Sequence, residues 1–198
     1  IAADERAHVD FLRSGIGETR VAQPAIDISA NPNGAFSNAA RAAGLVGPGV
    51  AFDPYASDEN FLLAAFIFED VGVTAYKGAS PLISNKTFLE AAAGILAVEA
   101  YHAALVRTTL YAKGLTAPTL IDATEAISKA RDDLDGVTDL DQGVRASGTG
   151  LATNSNIAPL DADGIAYSRS AGQVLNIVYL NRAAVTGGGF FPSGVNGT

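Results

Sequence analysis

The sequence predicts an all-α protein in which long helices form a bundle. Two long segments repeat apolar residues at helical spacing, and no run alternates apolar and polar residues in the manner of a strand. The chain has 198 residues, of which 48% are hydrophobic and 17% are charged, so it can bury a sizeable core. This composition excludes a disordered or fibrous protein, and it suits one domain or one domain with a long appendage.

The first part of the chain predicts the end of one helix and then a loop-rich stretch. Residues 1–14 keep helical spacing until Gly15 and Gly17 interrupt it. Residues 15–57 contain Pro, Gly and Asn clusters that favour turns, and a short helix is expected at residues 37–43.

Two long helices follow, and they are expected to be antiparallel neighbours. The first is predicted at residues 58–77, with Ser57 or Asp58 as its N-cap. The second begins after residue 84 or 85 and continues to about residue 113, where Gly114 stops it. Because only a few residues connect the two helices, they must fold back on each other.

Residues 115–198 are predicted to form a loop-rich extension of short helices packed on the same bundle. An amphipathic surface helix is expected at residues 123–134, and a further short helix at residues 170–182. An acidic loop at residues 132–142 is expected to be solvated, since its Asp spacing is not that of a calcium loop. The Gly-rich tail around residues 187–192 predicts turns.

The charge balance excludes several classes of function. The chain carries 13 Lys and Arg against 21 Asp and Glu, a formal net charge of −8, which argues against a nucleic-acid partner. It has no Cys, so a cysteine nucleophile and a thiolate metal site are excluded. No segment reaches the roughly 18 to 20 uninterrupted apolar residues of a membrane span, and none is predicted.

Both histidines of the chain follow a glutamate by three residues. Glu5 precedes His8 and Glu99 precedes His102, and residues three apart lie side by side on a helix. Either pair alone would be explained as a surface pair or as a hydrogen-bonded core histidine. Glu69, however, also stands on an otherwise apolar helix face, so three helices each direct a carboxylate toward the core.

Carboxylates on apolar faces need a partner, because burying an unpaired charge is costly. No Lys or Arg shares these faces near Glu69 or Glu99, and Arg107, two turns on, is the closest cation along the chain. A pair of metal ions would solve this charge problem. Bundles that hold two metals use one Glu from each of two helices and a Glu-x-x-His pair from each of the other two.

The predicted metal ligands are therefore three carboxylates and both imidazoles: Glu5, His8, Glu69, Glu99 and His102. A further single Glu would belong on a helix before Ile1. Tyr76 and Tyr101 are expected to be core aromatics close to this site. Asp70 adjoins Glu69 but faces about 100° away on the helix, so it lies either behind the ligands or on the surface.

Several longer motifs resemble the ferritin-like desiccation-related proteins of plants and bacteria. The run Phe52-Asp53-Pro54-Tyr55-Ala56 and residues 60–76 and 89–114 carry the resemblance in the bundle. Residues 154–169 and 187–197 are similar to the C-terminal region of that family.

This resemblance implies a ferritin-like four-helix bundle in residues 1–114, whose first helix would precede Ile1. Glu5 and His8 then match the pair on the second helix of the family, Glu69 the carboxylate on the third, and Glu99 with His102 the pair on the fourth. The groove left by a first helix is expected to be filled by a preceding segment or by a partner chain, including another copy of this one.

The sequence leaves two functions open. The first is an oxidoreductase with two Fe or two Mn ions that acts on peroxide or dioxygen, as related ferritin-like proteins do. The second is a non-catalytic stress-protective protein with a structural or vestigial metal site. Iron storage is a weaker third, since the long loops argue against a cage-forming subunit. The resemblance also favours an exported protein.

Overall fold

A computed structural model describes residues 1–196, and those residues form six α-helices and no strand. The helices are α1 (Ala2–Ile16), α2 (Ala35–Ala42), α3 (Asp58–Ala79), α4 (Lys86–Gly114), α5 (Thr119–Asp135) and α6 (Ala171–Val178). The all-α prediction is confirmed for this part of the chain. Short 3₁₀ turns follow α1 and α3, and a third lies at Gly150–Ala152.

The two long helices begin at the side chains that the sequence indicates as caps. The Ser57 side chain accepts a hydrogen bond from the Asn60 N–H, and Asn85 accepts from the N–H groups of Thr87 and Phe88. Such caps satisfy backbone donors that have no partner in the first turn of a helix. Pro81 lies in the 3₁₀ turn between the two helices and prevents α3 from continuing.

Helices α3 and α4 pack against each other in antiparallel orientation, as predicted. Glu59 at the start of α3 accepts a hydrogen bond from Lys113 at the end of α4. Further along, Gly72 of α3 lies against Glu99 in the middle of α4. Residues later in α3 therefore contact residues earlier in α4, as antiparallel packing requires.

The hydrophobic core joins this helix pair to α2, α5 and the C-terminal tail. Phe190 from the tail is buried and packs edge-on against Phe36 of α2 and Phe68 of α3, with ring centroids 5.0 and 4.8 Å apart. Its carbonyl also accepts a hydrogen bond from the Asp27 N–H. The tail thus closes the core from a position far away in sequence.

The extension is also fastened to α3 by its backbone. The Arg169 N–H donates to the Thr74 carbonyl, and a β-carbon at Gly78 would collide with the Arg169 carbonyl oxygen. A glycine at 78 is therefore required for this close approach.

Two expectations for the extension are wrong. α5 is longer than predicted, and it buries a full face that includes Arg131 rather than lying on the surface. In the acidic stretch, Asp135 and Asp141 are buried instead of solvated. The cause is pairing with arginines that are distant in sequence, since Asp135 bonds Arg169 and Asp141 bonds both Arg131 and Arg169.

Among residues 1–196, α4 is the helix whose length and composition would allow it to cross a membrane, and 33% of its most apolar window is buried in this fold. No such segment was expected from the sequence. Core helices of bundles meet the same criteria, and α4 carries Glu99, His102 and Arg107 as buried groups from its middle onward.

Helix α1 lies at the edge of the bundle and buries none of its residues. Val9 and Phe11 expose about half of their surface. Its contacts with α4 are made by polar side chains, since Asp4 and Glu5 reach His102 and His8 reaches Glu99.

Candidate metal centre

Carboxylates and imidazoles from α1, α3 and α4 meet in one cluster. Glu5, Glu69, Glu99 and His102 each offer a potential ligand atom, and these four atoms lie within 4.8 Å of one another. His8 stands beside them, with Nδ1 at 3.5 Å from a Glu99 oxygen and 3.6 Å from a Glu5 oxygen. The structure thus brings together the five residues that the sequence predicts as ligands.

The two Glu-x-x-His pairs face each other across α1 and α4. The ring centroids of His8 and His102 are 6.3 Å apart. Each histidine approaches the glutamate of the other pair, because His8 Nδ1 lies near Glu99 and His102 Nδ1 lies 2.9 Å from Glu5 Oε1. This crossed arrangement joins the two helices through their charged groups.

His102 has carboxylate oxygens close to both ring nitrogens. Its Nδ1 points toward Glu5 and Glu69, at 2.9 and 3.6 Å from their nearest oxygens. Its Nε2 forms a 2.9 Å hydrogen bond with Asp4 Oδ2. Metal-binding histidines commonly donate their outer N–H to a carboxylate in this way, which fixes the tautomer and the ring orientation.

Asp4 was not predicted from the sequence as part of the site. Its only signal is that it directly precedes the glutamate of the first Glu-x-x-His pair. It is exposed on α1, and helical periodicity does not distinguish it from the other surface acids of that helix.

Four buried atoms of the cluster have no hydrogen-bond partner among residues 1–196: Glu5 Oε1, His8 Nδ1, Glu69 Oε2 and His102 Nδ1. Glu5 Oε1 and His102 Nδ1 approach to 2.9 Å but lack hydrogen-bond geometry. An unsatisfied buried polar atom costs about 1–3 kcal/mol. Because oxygen and imidazole nitrogen are ligands for Fe and Mn, the donor set fits such cations.

The electrostatics of the cluster also call for a cation. Burial raises the pKa of Glu69 to about 7, and the neighbouring charge of Glu99 adds to the effect. Burial likewise raises the pKa of Glu99, with a further contribution from Glu5, while His8 and His102 act in the opposite direction. Without a cation, these carboxylates retain protons at a pH where exposed ones are ionised.

A glycine on α3 makes room for one of these carboxylates. A β-carbon at residue 72 would lie 2.8 Å from Glu99 Oε2, so any larger residue would displace that side chain. Gly72 therefore forms part of the wall behind Glu99.

The predicted neighbours of the site have different outcomes. Tyr76 is half-buried, and burial together with the charge of Glu99 raises the pKa of its hydroxyl. Tyr101 is 68% exposed, so the expectation of a core aromatic is wrong. It follows Glu99 by two residues and precedes His102 by one, and this offset turns its side chain onto the solvent face of α4.

Asp70 is buried, so the surface alternative for it is wrong. Its Oδ2 accepts hydrogen bonds from Arg107 at 2.7 Å and Arg131 at 3.0 Å. Arg107, the cation nearest to the ligands along α4, is thus paired with Asp70. Its remaining donors reach the carbonyls of Gly143 and Asn156 in the extension.

A cleft of about 200 Å³ lies beside the cluster, and Glu69 is the candidate ligand that lines it. The other lining residues are apolar and come from α2, α3 and the loops before them, with Phe36, Phe61 and Phe68 among them. A small neutral molecule could therefore approach Glu69 along an apolar path.

Comparisons with known proteins place the chain in a family context. The family described as ferritin-like domain matches residues 1–112. A ferritin-like catalase, Nec2 of Nesocodon mauritianus, is 30% identical over 204 residues, which cover 99% of this chain and 64% of that protein. The desiccation-related protein PCC13-62 of Craterostigma plantagineum is 32% identical over 177 residues, 85% of this chain and 55% of that protein.

The chain thus spans less than two thirds of the length of either relative. No solved structure matches it significantly.

Proposed function

Since the chain belongs to the ferritin-like domain family, we propose that it holds two Fe or Mn ions and turns over peroxide or dioxygen. The ligands would be the three carboxylates and two imidazoles of the cluster: Glu5, His8, Glu69, Glu99 and His102. The observation that carries the proposal is the set of four buried, unpartnered ligand atoms from three helices. The relative that is named a ferritin-like catalase supports peroxide as the substrate.

When bound, the two ions would pass two electrons to one peroxide, which becomes water, and regain them from a second peroxide, which leaves as dioxygen; with dioxygen as the substrate an external reductant would return the electrons. The remaining work falls to the residues of the chain. Asp4 accepts the Nε2 proton of His102 in a hydrogen bond, so that Nδ1 is left as a lone-pair donor toward the centre.

Glu69 and Glu99 provide negative charge that matches the ions. Because the pKa of Glu69 is raised to about 7, ion binding below that pH must release a proton from Glu69, and the raised pKa of Glu99 acts in the same direction. The apolar cleft beside Glu69 gives small molecules a path to this carboxylate.

One specific observation favours a second function, that of a non-catalytic protective protein. The relative named desiccation-related shares 32% identity with this chain. The extension also supplies two buried arginines, Arg131 and Arg169, that bond to the bundle or to buried aspartates, while none of its described residues belongs to the cluster of potential ligands. In this alternative the ions would be structural, and peroxide would not be consumed.

We also propose that a further helix covers the site, from a segment outside residues 1–198 or from a second copy of the chain. Three exposed apolar side chains lie within a few residues of the candidate ligands in sequence: Tyr101 and Leu105 of α4 and Phe11 of α1. A covering helix would bury such a surface and could add the single carboxylate that completes the four-helix ligand pattern.

The first experiment is elemental analysis of the chain purified without chelators, before and after addition of Fe(II) or Mn(II). We expect about two ions per chain, and release of dioxygen when peroxide is added to the loaded protein. Glu69→Gln should lose the ions, while the control Glu90→Gln, at an exposed position of α4, should retain them.

The outcomes separate the proposals. Failure to bind either ion would overturn the metal site itself. Two bound ions without peroxide or dioxygen turnover would favour the protective alternative.

A further inference from the structure

Two asparagines of the chain stand in the acceptor motif for N-linked glycosylation, which is Asn-x-Ser or Asn-x-Thr with any residue but proline in the middle. Asn85 begins the run Asn-Lys-Thr, and Asn196 begins the run Asn-Gly-Thr. So short a motif also arises by chance. The surroundings of each asparagine therefore decide whether the folded chain can carry a glycan there.

Asn85 lies in the exposed connection between α3 and α4. Asn85, Lys86 and Thr87 are all exposed, and the backbone of Asn85 is extended, with φ −75° and ψ 118°. At 1.5 Å per residue, Glu99 stands about 21 Å further along the axis of α4. A glycan on Asn85 would therefore begin well away from the candidate metal centre.

The two polar atoms of the Asn85 side chain have different roles. Its Oδ1 caps α4 by accepting hydrogen bonds from the backbone N–H groups of Thr87 at 2.9 Å and Phe88 at 3.2 Å. Its Nδ2 donates no hydrogen bond to any of residues 1–196. Glycosylation modifies Nδ2 and keeps the carbonyl oxygen, so the cap and a glycan use separate atoms.

Asn196 differs at the atom that a glycan would need. Its Nδ2 donates to the Ala22 carbonyl at 2.6 Å, a contact that joins the C-terminal tail to the loop after α1. The bulk of a sugar on this nitrogen would compete with that contact. At Asn85 the same addition displaces no hydrogen bond within residues 1–196.

Two apolar side chains close to Asn85 in sequence are left uncovered. Leu82 is 81% exposed and Phe88 is 50% exposed, and each lies within three residues of Asn85. Exposed apolar surface favours association between chains. A bulky, hydrated glycan attached between these residues would hinder such contacts.

We propose that Asn85 is the attachment site of an N-linked glycan when the chain passes through the secretory pathway of a eukaryotic cell. The donor is an oligosaccharide joined to a lipid through diphosphate. A bond forms between Asn85 Nδ2 and C1 of the first sugar, the bond from C1 to the diphosphate oxygen breaks, and the amide proton leaves with the lipid diphosphate. The modification does not depend on bound ions or on the proposed function of the metal centre.

The test expresses residues 1–198 behind a cleavable secretion signal in cultured mammalian cells. Every chain from which the signal has been removed is examined, whether it is secreted or retained. We expect most of these chains to gain the mass of one glycan and to lose it on treatment with peptide-N-glycosidase F. This enzyme converts the carrier asparagine to aspartate, so peptide mass spectrometry identifies the modified position.

Thr87→Ala is the matched variant, because it removes the motif while keeping Asn85 and the backbone N–H groups that this residue caps. It should lose the glycan, whereas Thr87→Ser keeps the motif and should keep the glycan. Thr108→Ala, at an exposed position of α4 outside both motifs, should be glycosylated like the unaltered chain.

Thermal unfolding tests whether the cap and the glycan coexist. The glycosylated chain and its enzymatically deglycosylated form should unfold within about 1 °C of each other, because loss of a helix cap would lower the midpoint by about 2–4 °C in a chain of this size.

Three results would overturn the proposal. They are an unmodified Asn85 in most chains that have lost the signal, a glycan on Asn196 in place of Asn85, and a glycosylated chain whose midpoint is lower by the amount expected for a lost cap.

Discussion

The carboxylate of Glu99 on α4 occupies the space that a side chain at Gly72 of α3 would need, because a β-carbon at residue 72 would lie 2.8 Å from Glu99 Oε2. The absence of a side chain on one helix thus sets the position of a carboxylate on the next. This contact lies between two helices that supply different ligands of the candidate metal centre.

We expect Gly72→Ala to weaken Mn(II) binding by about 10- to 100-fold, the range seen when the supports of metal ligands are altered. The added methyl group must push Glu99 away from its partners, while the better helix propensity of Ala offsets the loss of folding stability. Isothermal titration with Mn(II) and thermal unfolding measure the two effects. Gly94→Ala is the matched control, since a β-carbon there meets nothing within 4 Å; an equal loss of affinity in both variants would contradict the role of Gly72.

The stability of the metal-free chain should fall as the pH rises from 4.5 toward 8. The pKa of Glu69 is raised in the fold from 4.5 to about 7, so the folded state binds more protons than the unfolded state in this interval. The shift corresponds to about 3 kcal/mol of unfolding free energy, present below pH 4.5 and lost as the pH passes 7. Urea unfolding at a series of pH values measures it.

Two further measurements check this assignment. Glu69→Gln should flatten the profile and make the metal-free chain more stable than the parent at pH 8, whereas Glu90→Gln should leave the profile unchanged. Saturating Mn(II) should reverse the slope for the parent, because the ions bind the ionised carboxylates. A rising profile without metal would show that other groups dominate.

Asp4→Asn should lower the affinity for Mn(II) by roughly tenfold or more. The amide can present a donor to His102 Nε2 and thereby favour the tautomer with its proton on Nδ1, which faces Glu5 and Glu69. The ¹⁵N shifts of the His102 ring report the tautomer directly. Asp10→Asn alters an exposed acid on the same helix and should change neither property; an unchanged tautomer in Asp4→Asn would reject the orienting role.

Gly78→Ala should destabilise the chain by about 2–3 kcal/mol, the usual cost of overpacking at a site that cannot relax. The new methyl group would collide with the backbone of Arg169, which is held to α3 by its hydrogen bond to Thr74. Chemical denaturation gives the loss, and limited proteolysis should show earlier cleavage of the extension. Gly172→Ala serves as the control because its surroundings are open.

The helices and the cluster of potential ligands could be predicted from the sequence because their signals are local. Caps such as Asn85 and the spacing of Glu99 and His102 each lie within one turn of helix. Three ligand-bearing faces could then be matched to each other without knowing how the loops run.

The arginine network could not be predicted, because its partners are far apart in sequence. Arg169 and Asp135 are 34 positions apart, and Arg131 reaches Asp70 over 61 positions. Nothing in the composition of an acidic stretch distinguishes a buried Asp135 from the exposed Asp133. The prediction that Tyr101 is buried was wrong for a related reason. Its aromatic ring is compatible with either face of α4 until the neighbours of that helix are known.

The network of buried charges also carries a consequence for evolution. Three arginines and three aspartates are in balance, so the loss of one charge leaves its partner buried and uncompensated. Substitutions at Asp70, Arg107, Arg131, Asp135, Asp141 and Arg169 are therefore expected to be inherited together. Lineages should either keep the whole set or replace it with apolar residues of similar volume, and few should retain half of it.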